Sequence, residues 1–167
     1  MWNCSIAVCA FNRPEYLLRC LEYLFKTPDI INNKVPVYVF CDGGIDATQE
    51  KNREIISHYP LVTKTFYQDE NLCIPKHIHY LRETIFDEMG YNRLMFIEED
   101  VLVSPYYYGF MNGVLDYYEK IDSTVGMVNS CLVNTDTLEE KNNRWNLFFD
   151  MEFNINNYVM LKYLGCD

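Results

Sequence analysis

Short apolar runs alternate along this chain with stripes of apolar residues at helical spacing. Ser5 to Ala10 is a run of strand length. Asn12-Arg-Pro-Glu15 then reads as a helix start, with Asn12 as cap, Pro14 in the first turn and Glu15 at the capping-box position. Leu17, Leu18, Leu21, Leu24 and Phe25 continue it as one apolar stripe. Val35 to Cys41 is a second strand, with Pro36 tolerable near its beginning, and Asp42-Gly43-Gly44 closes it as a turn. Asp46 with Gln49 offers a cap for a polar helix to about Ser57. Leu61 to Tyr67 is a third strand, and the loop from Gln68 to Cys73 leads to a helix opened by Pro75. Ile78, Leu81, Ile85, Phe86 and Met89 give that helix one apolar face. Leu94 to Ile97 is a fourth strand. Pro105 opens an aromatic helix with Tyr107, Phe110, Met111, Val114 and Tyr118 inward, and Val125 to Val133 is a fifth strand. Residues 134–146 are polar and loop-like, and the aromatic, Asn-rich tail from Leu147 fits no single template.

Strands alternating with helices imply βαβ units, and therefore an α/β fold with a mostly parallel sheet covered by helices. Ligands of such sheets bind at the carboxyl ends of the strands. Four polar clusters stand there: Ala10 to Arg13, Asp42 to Gly44, Asp69 to Lys76, and Glu98 to Asp100. Their coincidence favours a binding crevice over four unrelated turns.

The last cluster carries the most chemistry. Leu94-Met-Phe-Ile97 delivers Glu98, Glu99 and Asp100 at a strand end. Adjacent carboxylates repel one another and lose hydration near a core, so they call for a compensating cation. Hard oxygen ligands suit Mg²⁺ or Mn²⁺, usually shared with a phosphate-bearing substrate. Arg13, at a helix N-terminus, is placed either to meet an anion or simply to face solvent. Asp42 is placed either to accept hydrogen bonds from a base or ribose or to form a turn before Gly43. Lys76, beside His77, can neutralise a phosphate. His77 and His79 lie two apart and do not share a helix face, so they read as surface or phosphate-proximal residues rather than metal ligands. There is no Gly-x-Gly-x-x-Gly after the first strand, no P-loop and no Gly-x-Ser-x-Gly, which disfavours dinucleotide, P-loop and serine-hydrolase readings.

Composition narrows the picture further. At 167 residues the chain is expected to form one domain. A net charge of −10 argues against a broad nucleic-acid surface, which needs clustered Lys and Arg, but not against a nucleotide brought in with a metal. The cysteines, at 4, 9, 20, 41, 73, 131 and 166, show neither CxxC nor zinc spacing, as expected of reduced thiols in a cytoplasmic protein. The N-terminus lacks a basic signal region, and no apolar run approaches the roughly 20 residues of a membrane span. The end, Tyr163-Leu-Gly-Cys-Asp167, has no obvious stop signal, as in a piece of a larger protein.

Three segments together resemble a known family. Ile6-Ala-Val-Cys-Ala-Phe-Asn-Arg-Pro-Glu-Tyr-Leu-Leu-Arg-Cys-Leu21 is similar to the first βα unit of GT-A glycosyltransferases, and Val37-Tyr-Val-Phe-Cys-Asp-Gly-Gly44 to their second strand. Phe96-Ile-Glu-Glu-Asp-Val-Leu-Val-Ser-Pro-Tyr-Tyr-Tyr108 resembles the Glu-Asp-Asp form of their DxD motif, most nearly that of the N-acetylglucosaminyltransferase I family. The resemblance covers residues 5 to about 130. It implies a nucleoside-diphosphate-sugar donor, a UDP-sugar favoured, and transfer of a hexosyl or N-acetylhexosaminyl group to a glycan or other hydroxyl acceptor. Asp100 would bind Mn²⁺ (or Mg²⁺) bridging the donor diphosphate, and Glu98 and Glu99 would lie near ribose and sugar. Arg13 and Asp42 would hold the nucleoside, with Ala10 and Asn12 of the same turn and Lys76 completing the contacts.

Two departures qualify it. Glu99 replaces the usual aspartate, one methylene longer. Acceptor-binding elements and the general base should follow the DxD region, which leaves Asp150 and Glu152 as the carboxylates in place for a base. The expected division is a nucleotide-sugar-binding core at 1–133 and an acceptor-side or truncated segment at 134–167, whose incomplete packing a partner subunit or missing C-terminal region would cover. The rivals are a non-catalytic nucleotide-sugar-binding module and a nucleotidyltransferase. The latter would want a Gly-rich signature before an Arg after the first strand, which Ala10-Phe-Asn-Arg13 does not supply.

Overall fold

The computed structural model describes residues 3–122, 125, 127–129 and, for the backbone, 157–161. Its elements are β1 (Cys4–Ala10), α1 (Pro14–Leu24), α2 (Pro28–Asn32), β2 (Val37–Cys41), α3 (Asp46–Ser57), β3 (Val62–Tyr67), α4 (Cys73–Glu83), β4 (Arg93–Glu98), α5 (Tyr107–Ile121), β5 (Met127–Asn129) and β6 (Asn157–Leu161). One π-helical turn, Thr84–Glu88, extends α4. The strands form a six-stranded sheet in the order β3-β2-β1-β4-β6-β5. β1 to β4 are parallel, and β6 runs antiparallel between β4 and β5.

Parallel strands covered on both faces need apolar residues at both parities, which is why β1, β2 and β4 read as continuous apolar runs. Ile6, Val8, Val37, Val39, Met95 and Ile97 pack with Leu17, Leu21, Leu24, Ile56, Met111 and Leu115 in one layer. Ala7, Tyr38, Phe40, Leu94 and Phe96 pack with Leu81, Ile85 and Phe86 in the other. Each fully buried Leu contributes about 1.5–3 kcal/mol, so a charge at Leu21 would detach α1 from the sheet.

The helix starts differ from expectation. The cap of α1 is Arg13, and Asn12 makes no capping bond, because the preceding residue Phe11 is held from both sides. Gln49 does not cap α3; its amide donates to the Gln68 carbonyl (2.5 Å) and ties α3 to the end of β3. α4 begins two residues before Pro75, and α5 begins two after Pro105. The short helix α2, opened by Pro28, went unseen in the pattern. The tail without a template contributes β6, while the expected fifth strand is present as Met127–Asn129, with 130–133 outside the described residues.

At the amino end of β4 lies a buried charge that apolar patterning does not reveal. Arg93 donates to Asn112 (3.3 Å), Asp116 (2.5 Å) and Glu119 (2.6 Å), all on α5. This ties α5 to the sheet, and with it the 99–106 segment that follows the strand.

Candidate functional site

The registers bring three strand ends to one level. Ala10 pairs with Cys41 and Cys9 with Glu98. Ladder-like bonds continue past the ends: Asp42 N–H to the Ala10 carbonyl (2.8 Å), Glu99 N–H to the Cys9 carbonyl (2.9 Å) and Gln68 N–H to the Cys41 carbonyl (3.0 Å). The residues that follow, 11–13, 42–44, 68–72 and 99–100, therefore line one carboxyl-end edge of the sheet.

The acidic triplet is not uniform. Glu98 and Asp100 are exposed, whereas the Glu99 side chain is 3% exposed. Its Oε2 accepts the Phe11 N–H (2.7 Å), and its Oε1 accepts Arg13 Nε–H (2.8 Å). Arg13 Nη1 donates to Asp100 Oδ2 (2.7 Å), and the guanidinium lies 5.5 Å from the centre of the Tyr16 ring. Burial pushes the Glu99 carboxyl up, opposed by Arg13 and the Phe11 N–H; Glu99 in turn holds the Arg13 guanidinium up. The Phe11 carbonyl accepts Asn52 Nδ2–H (3.1 Å), so both polar groups of this residue's backbone are fixed.

Asp42 is 5% exposed, and its Oδ1 accepts two N–H groups, Gly43 (2.9 Å) and Leu72 (2.8 Å). It therefore fastens the 68–72 loop to the end of β2 and does more than start a turn. Gly43 is required by that contact: a Cβ there would press on the Gln68 carbonyl and stand 2.7 Å from Glu70 N and O. His77 is buried rather than at the surface. Its Nε2 lies 3.2 Å from the Phe40 carbonyl, which only accepts, so Nε2 carries the proton. Nδ1 then faces Asp42 Oδ1 at 3.7 Å and has no hydrogen-bond partner among the described residues. Burial lowers the pKa of His77, with Asp42 and the Phe40 carbonyl opposing.

Of the other expected site residues, Ala10 is buried and offers its carbonyl to Asp42, while Asn12 and Lys76 are exposed. His79 is exposed beside Glu83 (3.4 Å). Asp150 and Glu152 lie outside the described residues. Asn52, which holds Phe11, gives no signal in the sequence, whereas Gln49 and His77 stand out there in other roles, as a helix cap and as a surface or phosphate-proximal residue, and instead tie α3 to the end of β3 and α4 to β2.

The field of this edge is negative. The Cys9 thiol is pushed up to about 12 by burial and then by Glu98, Glu99 and Asp42. Burial, then Glu99 and Asp100, do the same to Cys20. A polyanion entering here needs added positive charge. Among the described residues no group of three or more His, Cys, Asp or Glu is gathered to enclose a metal. The exposed carboxylates of Glu98 and Asp100 suit a hard divalent cation that takes its remaining ligands from a phosphate and water. No described helix is long and apolar enough to cross a membrane.

No protein-family model and no curated protein sequence matches the chain. Among solved structures, it is similar to the mannosyltransferase PcManGT from Pyrobaculum calidifontis in complex with GDP-Man and Mn²⁺, with TM-score 0.64 and 14% identity over 95% of this chain and 44% of that one. It is also similar to S. aureus TarS in complex with UDP-GlcNAc, with TM-score 0.51 and 18% identity over 81% of this chain and 37% of that one. The chain thus spans less than half the length of either structure. Its parallel core, flanking helices and strand order give it the GT-A, Rossmann-like fold of nucleotide-diphospho-sugar glycosyltransferases.

Proposed function

We propose that this chain is the donor-binding part of a metal-dependent glycosyltransferase that uses a nucleoside-diphosphate sugar, a UDP-sugar in the first instance. The observation that carries this reading is the arrangement of the triplet. Glu99 is drawn into the protein by Arg13 and the Phe11 N–H, which leaves Glu98 and Asp100 facing out at the carboxyl edge of a GT-A sheet. Asp100, with Glu98, would hold Mn²⁺ or Mg²⁺. Such a cation supplies Lewis-acid stabilisation of the departing diphosphate.

The chain's own residues do the rest. Asp42, anchored through Oδ1, would offer its second carboxylate oxygen to donors of the base or ribose. Lys76, exposed in the first turn of α4, adds positive charge on that side. Ala10, Asn12 and Glu99 shape the turn between them. The acceptor side falls to 134–167, beyond the core at 1–133, although β6 within that segment belongs to the sheet. Asp150 and Glu152 are the carboxylates to test as base for the acceptor hydroxyl. The likeness of 96–108 to the N-acetylglucosaminyltransferase I motif favours an N-acetylhexosamine donor. The described cysteines, all free, fit a reducing, cytoplasmic setting.

Calorimetric titration with UDP-, GDP- and N-acetylhexosamine-bearing donors, with and without Mn²⁺, tests this. Mn²⁺-dependent donor binding that Asp100→Asn abolishes is expected, with thermal stability changed by less than about 1 kcal/mol because Asp100 is part-exposed. Donor affinity equal in Asp100→Asn and parent at saturating Mn²⁺ would remove Asp100 from the metal site. Binding without donor hydrolysis or transfer would favour a non-catalytic binding module.

A further inference from the structure

One guanidinium serves two carboxylates in this site, and the two contacts are unequal. Arg13 Nε faces Glu99, whose side chain is 3% exposed, while Nη1 faces Asp100, whose side chain is 34% exposed. A buried carboxylate that loses its counter-ion is left uncompensated, whereas a solvated one rehydrates. The Glu99 contact is therefore the fixed end of Arg13, and the Asp100 contact is the one that can open. Asp100 Oδ2, the oxygen occupied by Nη1, belongs to a carboxylate that a hard cation would need. Cation and guanidinium repel each other and compete for that carboxylate. The Arg13 side chain itself is 44% exposed, so part of it meets solvent.

Building on the nucleotide and metal reading above, we propose that Arg13 couples the two ligands. Its Nη1 holds Asp100 in the cation-free protein. It is released when a divalent cation takes that carboxylate, and it then turns onto the diphosphate of the nucleotide. The cation and the nucleoside diphosphate consequently bind with positive cooperativity, each raising the affinity of the other by the same factor. Arg13 acts as a positioning residue with two addresses. Arginine suits this task because its planar fork can keep one N–H on Glu99 while offering another elsewhere; a lysine ammonium is a single compact charge.

The test uses the full chain, with Mn²⁺, UDP and GDP as probes. Mn²⁺ affinity is measured by calorimetry and by the paramagnetic signal of free Mn²⁺, first alone and then with saturating UDP or GDP. In the parent, Mn²⁺ alone should bind weakly, and a nucleotide should strengthen it at least about fivefold. In R13K the ammonium stays with buried Glu99 and leaves Asp100 free. Mn²⁺ alone should then bind at least about fivefold tighter than in the parent, and the strengthening by nucleotide should shrink by a similar factor. Equal Mn²⁺ affinity and equal strengthening in R13K and parent would overturn the coupling while leaving the nucleotide reading intact. A parent that binds neither Mn²⁺ nor either nucleotide would overturn both. If R13K does not fold, the double variant R13Q/E99Q removes both charges of the buried pair. The amide oxygen introduced by E99Q can still accept the Phe11 N–H, and the same two outcomes decide.

Discussion

Replacing Asp42 separates a structural role from a binding role. Its Oδ1 accepts the N–H groups of Gly43 at 2.9 Å and Leu72 at 2.8 Å in a site only 5% exposed. Hydrogen bonds to an ionised acceptor contribute about 1.5–3 kcal/mol each. The Gly43 bond, made to the next residue, is partly set by the turn and contributes less. The Leu72 bond spans 30 positions and carries the loop. Asp42→Ala should therefore cost about 2–4 kcal/mol, which for a chain of this size lowers Tm by about 5–15 °C. Asp42→Asn keeps an oxygen where Oδ1 stands and should cost less than about 1 kcal/mol. It replaces only the second oxygen, the one proposed above to meet a nucleoside. The Asn variant should accordingly melt near the parent yet bind UDP more weakly, by about 1–3 kcal/mol. Circular-dichroism melts with calorimetric UDP titration read both quantities. An Ala variant melting within about 1 °C of the parent would show that the loop does not hang on Asp42. An Asn variant melting as low as the Ala variant would show that charge rather than hydrogen bonding holds it.

Gly43→Ala should destabilise by about 1–3 kcal/mol in urea titration, because its Cβ meets backbone atoms of Gln68 and Glu70 that cannot swing aside. Gly113→Ala, on α5 with nothing within 4 Å of the added carbon, should stabilise by about 0.5–1 kcal/mol; reversal of this pair would refute the packing. The pKa of His77 is lowered from its ordinary value near 6.5, so as pH falls the unfolded chain takes up that proton first. Stability from this group is full above about pH 6.5 and declines below it. His77→Gln should remove that part of the acid slope in melts taken from about pH 7.5 to 5.5, and an unchanged slope would acquit His77.

Much of the fold was legible because it is parallel. β1, β2 and β4 are buried on both faces and read as unbroken apolar runs, and their order with α1, α3 and α4 left few topologies open. What escaped depends on partners distant in sequence. Asn12 looked like a cap, but Phe11 is pinned by Glu99 and Asn52, which moves the helix entry to Arg13. The split of the triplet is not one of strand alternation, since Glu98 ends β4 and Glu99 and Asp100 lie in the turn after it; Glu99 is drawn inward by Phe11 and Arg13, far away in sequence. His77 stands four residues before Leu81, and that spacing places it on the buried face of α4. Arg93 gave no signal, since a charge ahead of an apolar run is normally solvated, and only the acids of α5 explain its burial.

The place of β6 has a consequence for biogenesis. β4, which delivers the acidic triplet, pairs with β1 on one side and on the other with a strand made much later, at Asn157–Leu161. While the chain emerges from the ribosome, β1 to β4 can assemble first. β4 then waits as a bare apolar edge, Leu94 to Ile97, until residue 161 arrives. Such an edge is a template for pairing with other chains. A chain halted before Asn157 is thus a hazard as well as a defect: its parallel strands assemble, but with an adhesive seam beside the carboxylates.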